Sequence, residues 1–326
     1  MTKATHLVAL LQSHIDGDDE QFLTVAMQAA ANEARLGHGK VAQQLRDMVD
    51  DARARGKTRG GGRPVPLAQP RGDLANLVAV KYVDTRLSSM VLPEALRERL
   101  ERVIHEQRQA FRLRQHGLRP RRKLLLIGPP GAGKTMTAAA MAGELKLPLF
   151  SVLLDGLLTK FMGETASKLR MVFSAMAETR GVYFFDEFDA IGARRSERND
   201  VGEIRRVLNS FLQFLEEDES EGLIIAATNH PELLDPALFR RFDDVIEYAL
   251  PTPEVSRAIL QARLSTFDTG ALDWDRAVVD SEALSQADLS RVADEAAKRA
   301  LLSGREVVET GDILAAIAER RAAARR

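Results

Sequence analysis

Apolar positions recur at helical spacing in three successive groups over the first fifty residues: Leu7, Leu10, Leu11 and Ile15; then Phe22, Val25, Ala26 and Ala29; then Val41, Leu45, Met48 and Val49. A face that returns every three to four residues predicts an amphipathic helix. Gly17 with its acidic neighbours and the segment 37–39 supply the breaks. Residues 1–52 are therefore expected to form a small all-α unit. The next stretch, DARARGKTRGGGRPVPLAQPRG over residues 51–72, combines Arg, Gly and Pro with little to bury. It predicts a mobile linker, expected over 53–84.

From about residue 94 the pattern changes to helical segments alternating with short apolar runs. These runs are KLLLIG (123–128), PLFSVLL (148–154), VYFFDE (182–187), LIIAATN (223–229) and VIEYAL (245–250). Runs apolar on both faces and separated by helices predict a parallel sheet covered on each side, here an α/β core of five strands over 85–250. Beyond Pro251 and Pro253 the pattern is helical to residue 326. Its best case is the single face formed by Leu289, Val292, Ala293, Ala296, Ala297, Ala300 and Leu301, so 251–326 is expected to be a separate helical subdomain.

Composition narrows the function. Forty-six Lys and Arg stand against 47 Asp and Glu in 326 residues, so no whole-protein field draws the chain to nucleic acid or to a membrane. The basic positions Arg53, Arg55, Lys57, Arg59 and Arg63 lack interleaved aromatics and are read as solvated linker rather than a nucleic-acid contact. The absence of cysteine excludes disulfides and thiolate metal sites and fits a reducing compartment. No apolar run approaches a membrane span and the amino terminus lacks a signal-peptide pattern. A cytoplasmic protein without membrane partners is expected.

The first apolar run leads into Gly128, Pro129, Pro130, Gly131, Ala132, Gly133, Lys134 and Thr135, followed from Met136 by a strong helix former. This is G-x-x-x-x-G-K-[ST] in its strand–loop–helix setting: backbone N–H groups turn inward around phosphates, the lysine reaches the β- and γ-phosphates, and the hydroxyl serves Mg²⁺. VYFFDE ends in Asp186 and Glu187. At the carboxyl end of a buried strand, one carboxylate can hold Mg²⁺ and the other can polarise the attacking water; pleating would point them to opposite sides. Asn229 closes the fourth run and offers a neutral amide to orient that water. In DPALFRRFDD, Asp235 and Pro236 predict a helix start, with Arg240 and Arg241 one turn later. An arginine offered to another subunit's γ-phosphate stabilises transition-state charge.

Taken in order, GPPGAGKT, VYFFDE, AATN and LDPALFRRFD resemble the AAA+ ATPases, and among them the AAA clade of protein-remodelling enzymes, over about residues 85–320. The resemblance implies a P-loop NTPase core that binds ATP, with Thr135 and Asp186 at Mg²⁺, Glu187 catalytic, Asn229 the first sensor, and Arg240 or Arg241 the finger acting in trans within a hexamer of identical chains. LSQADLSRVADEAAKRAL is similar to the family's helical lid over the nucleotide. Three departures stand out: the two arginines are adjacent rather than separated by a proline–glycine insertion, Gln286 replaces a usual glycine in the lid, and LSSMVLPEAL matches the family's adenine-contacting segment poorly and receives no base contact.

LTKFMGETASKLRMVF resembles the clade's pore loop, which implies that Phe161 and Met162 grip a protein substrate. Here Gly163 permits a tight excursion and helix is expected from about Thr165. The charged loop ARRSERND (193–200) stands where a second pore loop would lie. The function implied is an ATP-hydrolysing ring motor that remodels or threads proteins. The alternatives are a nucleic-acid-directed loader, or a switch that uses ATP to assemble. The amino-terminal unit is similar in size to the adaptor domains of katanin and spastin, which implies recruitment of substrate or effector. With no H-E-x-x-H in the chain, proteolysis would require a separate protease partner.

Overall fold

The computed structural model describes residue 70 and residues 72–157, 162–189 and 201–324, with isolated helical positions among the first fifty. The chain divides into two compact units, Met1–Leu67 and Ala68–Arg326. The expected three-helix pattern lies almost wholly outside the described residues, as do Phe161 and the loop 193–200.

The second unit is built on a six-stranded sheet: β1 (Val78–Lys81), β2 (Lys123–Ile127), β3 (Leu149–Val152), β4 (Val182–Phe185), β5 (Leu223–Thr228) and β6 (Asp244–Glu247). Its spatial order is β1-β3-β4-β5-β2-β6. The five expected strands are present and mutually parallel. The sixth, β1, pairs antiparallel with β3 and lies within the stretch expected to be linker. That stretch was misread because β1 is short and only Val78 is fully buried, with Lys81 exposed at its end. Such a strand suits a sheet edge, which is protected by brevity and charge.

The helices of this unit begin with α1 (Glu94–Arg108), α2 (Ala110–Gln115), α3 (Lys134–Leu145), α4 (Leu154–Leu157), α5 (Met162–Glu178), α6 (Val201–Glu217) and α7 (Pro236–Phe239). Alternation along each strand divides the core in two. Leu125, Ile127, Tyr183, Phe185, Ile224 and Ala226 face Leu169, Phe173, Met176 and Phe211 of α5 and α6. Leu124, Leu126, Val182, Phe184, Leu223 and Ile225 face Leu100 and Ile104 of α1 and Met141 of α3. Both faces are therefore dry, which is why the strands read as continuous apolar runs.

The remaining helices, α8 (Pro253–Arg263), α9 (Trp274–Asp280), α10 (Gln286–Leu302) and α11 (Thr310–Ala324), enclose a third core. Leu289, Val292, Ala293, Ala296 and Ala300 of α10 are buried in it. Leu301, expected on the same face, is 54% exposed, because it stands about 100° around the helix from the fully buried Ala300. A capping box fixes the start of α10: Asp288 N–H donates to Ser285 Oγ and Ser285 N–H donates back to Asp288 Oδ2, both at 3.2 Å.

Candidate active site

The strand order puts β5 between β2, which feeds the glycine-rich loop, and β4, which ends at the carboxylates. The carboxylates are thus one strand removed from that loop, and Asn229 at the end of β5 occupies the middle. Lys134 opens α3 and is only 6% exposed. Its ammonium donates to Gly128 O (2.7 Å), Pro129 O (2.9 Å) and Asn229 Oδ1 (2.8 Å). Burial lowers the Lys134 pKa, against the opposing pull of Asp186 and Asp189. A desolvated cation flanked by loop carbonyls and carboxylates is well matched to a polyphosphate.

The loop closes only because Gly128 lacks a side chain: at φ +146°, a Cβ there would lie 2.3 Å from Tyr248 O. Gly128 N–H also reaches Thr228 O at 3.3 Å, tying the loop to β5. Thr135 Oγ1 donates to Asp186 Oδ2 at 2.9 Å. This pairs the two groups expected at Mg²⁺. A small hard cation prefers such a site, with one carboxylate and a hydroxyl completed by phosphate oxygens and water.

Glu187 follows the strand rather than extending it. β4 ends at Phe185, and Glu187 takes a left-handed backbone with φ +50°. This turn, not the expected pleat, therefore sets how the two carboxylates are presented. Two anchors impose it: Glu187 N–H donates to Asp186 Oδ1 (3.0 Å), and Phe188 N–H donates to Ala227 O (2.8 Å). The fully buried Phe188 ring packs on Phe211 and Phe242, leaving the Glu187 side chain exposed.

Sequence reasoning missed several groups here. Asp189 accepts from Thr228 Oγ1 at 2.8 Å, and Thr228 Oγ1 in turn accepts from His230 N–H at 3.0 Å. This pins the backbone on both sides of Asn229. The available signal was a third acidic residue at a one-turn spacing after Asp186. Ala287 N–H on α10 donates to Gly131 O at 3.0 Å, seating the lid on the phosphate loop. Gln286, the departure noted above, brings its side-chain oxygen to 3.3 Å from where a Cβ on Gly133 would stand.

The segment 87–92, given no role from sequence, also reaches the loop. Met90 lies against Gly133, and Val91 packs on the lid core. Leu87 N–H donates to Glu144 (3.2 Å) and Arg97 donates to Met90 O (2.9 Å), fixing the segment against α1 and α3.

The two arginines stand one turn after the helix start at Pro236. α7 ends at Phe239, so Arg240 is its C-cap and Arg241 lies beyond it. Asp235 caps the helix start by accepting from Ala237 N–H at 2.9 Å. Both arginines are exposed. Arg241 is ion-paired with Glu216 of α6, whereas Arg240 makes no ion pair or side-chain hydrogen bond with the described residues. Met162 and Gly163 fall in the first turn of α5, which begins three residues earlier than expected; Gly163 is therefore helical rather than the hinge of an excursion.

Residues 124–250 match the model of the ATPase family associated with various cellular activities (AAA). The AAA family ATPase y4kL of Sinorhizobium fredii is 33% identical over 314 residues, which is 96% of this chain and 93% of that protein. The chain belongs to the AAA ATPase family. It is an ATPase that uses ATP with Mg²⁺, of the protein-remodelling type. Other relatives of this AAA ATPase are the ATP-dependent zinc metalloprotease FtsH 3 of Sphaerobacter thermophilus, 33% identical over 76% of this chain, and a proteasome-activating nucleotidase of Sulfurisphaera tokodaii, 38% identical over 62%. The chain spans about half the length of each of those two, at 52% and 53%. Among the described residues, no helix is long and apolar enough to cross a membrane.

Proposed function

We propose that this AAA ATPase works as a ring of identical copies, six on the family pattern, that threads a protein substrate through a central channel. The observation that carries the reading is the placement of the arginines. Among the described residues, no arginine is hydrogen-bonded or ion-paired to Thr135, Asp186 or Asn229, while Arg240 and Arg241 are exposed in the connection between α7 and β6. With Lys134 and Mg²⁺ at the phosphates, phosphoryl transfer still favours a further cation against the charge of the transition state, and an exposed arginine from a neighbouring copy supplies it.

Within each copy, the phosphate loop from Gly128 to Met136 holds the triphosphate, Thr135 and Asp186 serve the metal, Glu187 polarises the attacking water, and Asn229 orients it. The base lies between the 87–92 segment and the lid, the two elements that flank the loop. Phe161 and Met162 grip the substrate. The unit 1–52 recruits a substrate, an adaptor or a separate protease in the cytoplasm.

Phe161→Ala tests the mechanical half of the proposal. Expected is ATP turnover within about twofold of the parent together with loss of substrate unfolding; unfolding at the parental rate would remove threading through Phe161. Ring formation is read separately, from the mass of Glu187→Gln with ATP by light scattering, and a monomer under those conditions would end the ring reading.

A further inference from the structure

Tyr248 belongs to none of the motifs above. It stands one residue beyond β6 and is only 5% exposed. Its backbone N–H donates to Ile127 O at 2.7 Å, and its own carbonyl oxygen occupies the space a side chain on Gly128 would need. Its phenolic oxygen lies 2.6 Å from Thr137 Oγ1 on α3, in a fully buried contact. Thr137 Oγ1 also donates to Gly133 O at 3.1 Å. A threonine hydroxyl carries a single proton and a carbonyl can only accept, so Thr137 spends its proton on Gly133 and the phenol must be the donor to Thr137. Burial pushes the Tyr248 pKa up to about 12, opposed by the Thr137 hydrogen bond, so the phenol keeps the proton it donates.

Tyr248 therefore reaches both ends of the phosphate loop. It packs against Gly128, where the loop leaves β2, and through Thr137 it holds Gly133, the N-cap of α3, where the loop closes. Gly128 O is also one of the acceptors that aim Lys134. Two apolar side chains in these positions would fill the same volume without fixing a direction. A satisfied buried hydroxyl chain selects one arrangement.

We propose that Tyr248, acting through Thr137, is a positioning residue that sets the span of the phosphate loop from Gly128 to Gly133 and thereby the affinity for the nucleotide's phosphates. The loop cradles the α- and β-phosphates, so ADP and ATP respond alike. Ground state and transition state lose the same contact, so KM rises while kcat holds.

The full chain is titrated with a fluorescent ADP analogue, and steady-state hydrolysis of ATP is measured on the same variants. Tyr248→Phe keeps the ring and removes the donor. Thr137→Val strands the phenol, Thr137→Ser restores a hydroxyl, and Tyr248→Phe with Thr137→Val removes both partners. Expected for Tyr248→Phe and for Thr137→Val is a Kd for ADP raised about threefold to tenfold, with KM for ATP raised alike and kcat within about twofold. Thr137→Ser binds as the parent does, and the double variant is no weaker than the weaker single. A fall in melting temperature with unchanged Kd in Tyr248→Phe would reduce the pair to core packing and overturn the proposal, as would a loss of kcat at unchanged KM. If Thr137→Val fails to fold, Tyr248→Phe and Thr137→Ser still decide.

Discussion

Replacing Glu187 by glutamine, alanine and glycine separates its chemistry from its backbone. A side-chain-bearing residue at φ +50° carries about 1–2 kcal/mol of left-handed strain. That strain persists because the flanking residues are over-determined: Asp186 is held by Thr135, and Phe188 by Ala227 and the aromatic core. Glycine removes the strain and returns about 0.5–1 kcal/mol through the added freedom of the unfolded chain. Glu187→Gly is therefore expected to be about 0.5–1 kcal/mol more stable than Glu187→Ala, which amounts to about 1–4 °C in melting temperature for a unit of this size. Glu187→Gln keeps the left-handed backbone and should melt close to the parent. All three should lose ATP hydrolysis by a factor of about 100 or more, the range for a positioned general base. Melting is followed by circular dichroism without nucleotide, and turnover by phosphate release. Greater stability in the alanine variant than in the glycine variant would refute the strain argument. Parental turnover in Glu187→Gln would remove the catalytic role and leave the strain argument standing.

Other outcomes follow from particular contacts. Gly143→Ala should destabilise by about 1 kcal/mol or more in chemical denaturation, although helix propensity alone favours alanine by about 1 kcal/mol. The new Cβ would lie 2.1 Å from Thr85 O, and overpacking against backbone costs about 1–3 kcal/mol. Arg240→Ala should abolish hydrolysis in assembled rings, with losses of about 1,000-fold, while Arg241→Ala and Glu216→Ala should share a smaller effect because those two residues are ion-paired; the reverse ranking would assign the finger to Arg241. In the lid, Arg305 donates to both oxygens of Asp312 at 2.9 and 3.0 Å and holds its carboxyl below the usual 3.8. A carboxylate with a depressed folded-state pKa stabilises above its unfolded value, and that contribution is lost as the pH falls through the folded value. Thermal stability should therefore decline in acid below about pH 4, and Asp312→Asn should lower the neutral plateau and flatten the acid limb.

What the sequence made legible was local. The five parallel strands were readable because both of their faces are buried, and the phosphate loop because its chemistry sits in consecutive residues. β1 escaped because a four-residue edge strand with one fully buried side chain resembles the loop around it. The position of β5 between β2 and β4 has no sequence signature, since helical crossovers of similar length permit several strand orders. Contacts between distant segments were equally hidden. Ala287 at Gly131, Met90 at Gly133 and Asp189 at Thr228 become site features only once the chain has folded. The arginines' setting was hidden as well, because α7 is only four residues long and ends before either of them, and nothing in the sequence marks where so short a helix stops.

The arginines proposed to act on another copy and the tyrosine proposed to act within its own lie at opposite ends of a single element. Arg240 and Arg241 precede β6, and Tyr248 follows it. β6 is four residues long, about 13 Å in extended form, and is paired in register with β2 from Leu124↔Asp244 to Ile127↔Glu247. A strand held along its whole length by one neighbour moves as a rigid piece. On the ring reading, a neighbour's γ-phosphate that engages the arginines bears on β6 from one end, and Tyr248 at the other end would carry any tilt of the strand to Gly128 and, through Thr137, to Gly133 of the copy's own phosphate loop. The hydroxyl chain would then connect one copy's hydrolysis to the next copy's affinity for nucleotide. Tyr248→Phe should accordingly lower the Hill coefficient for ATP toward one, and an unchanged coefficient alongside a raised KM would confine Tyr248 to its own site.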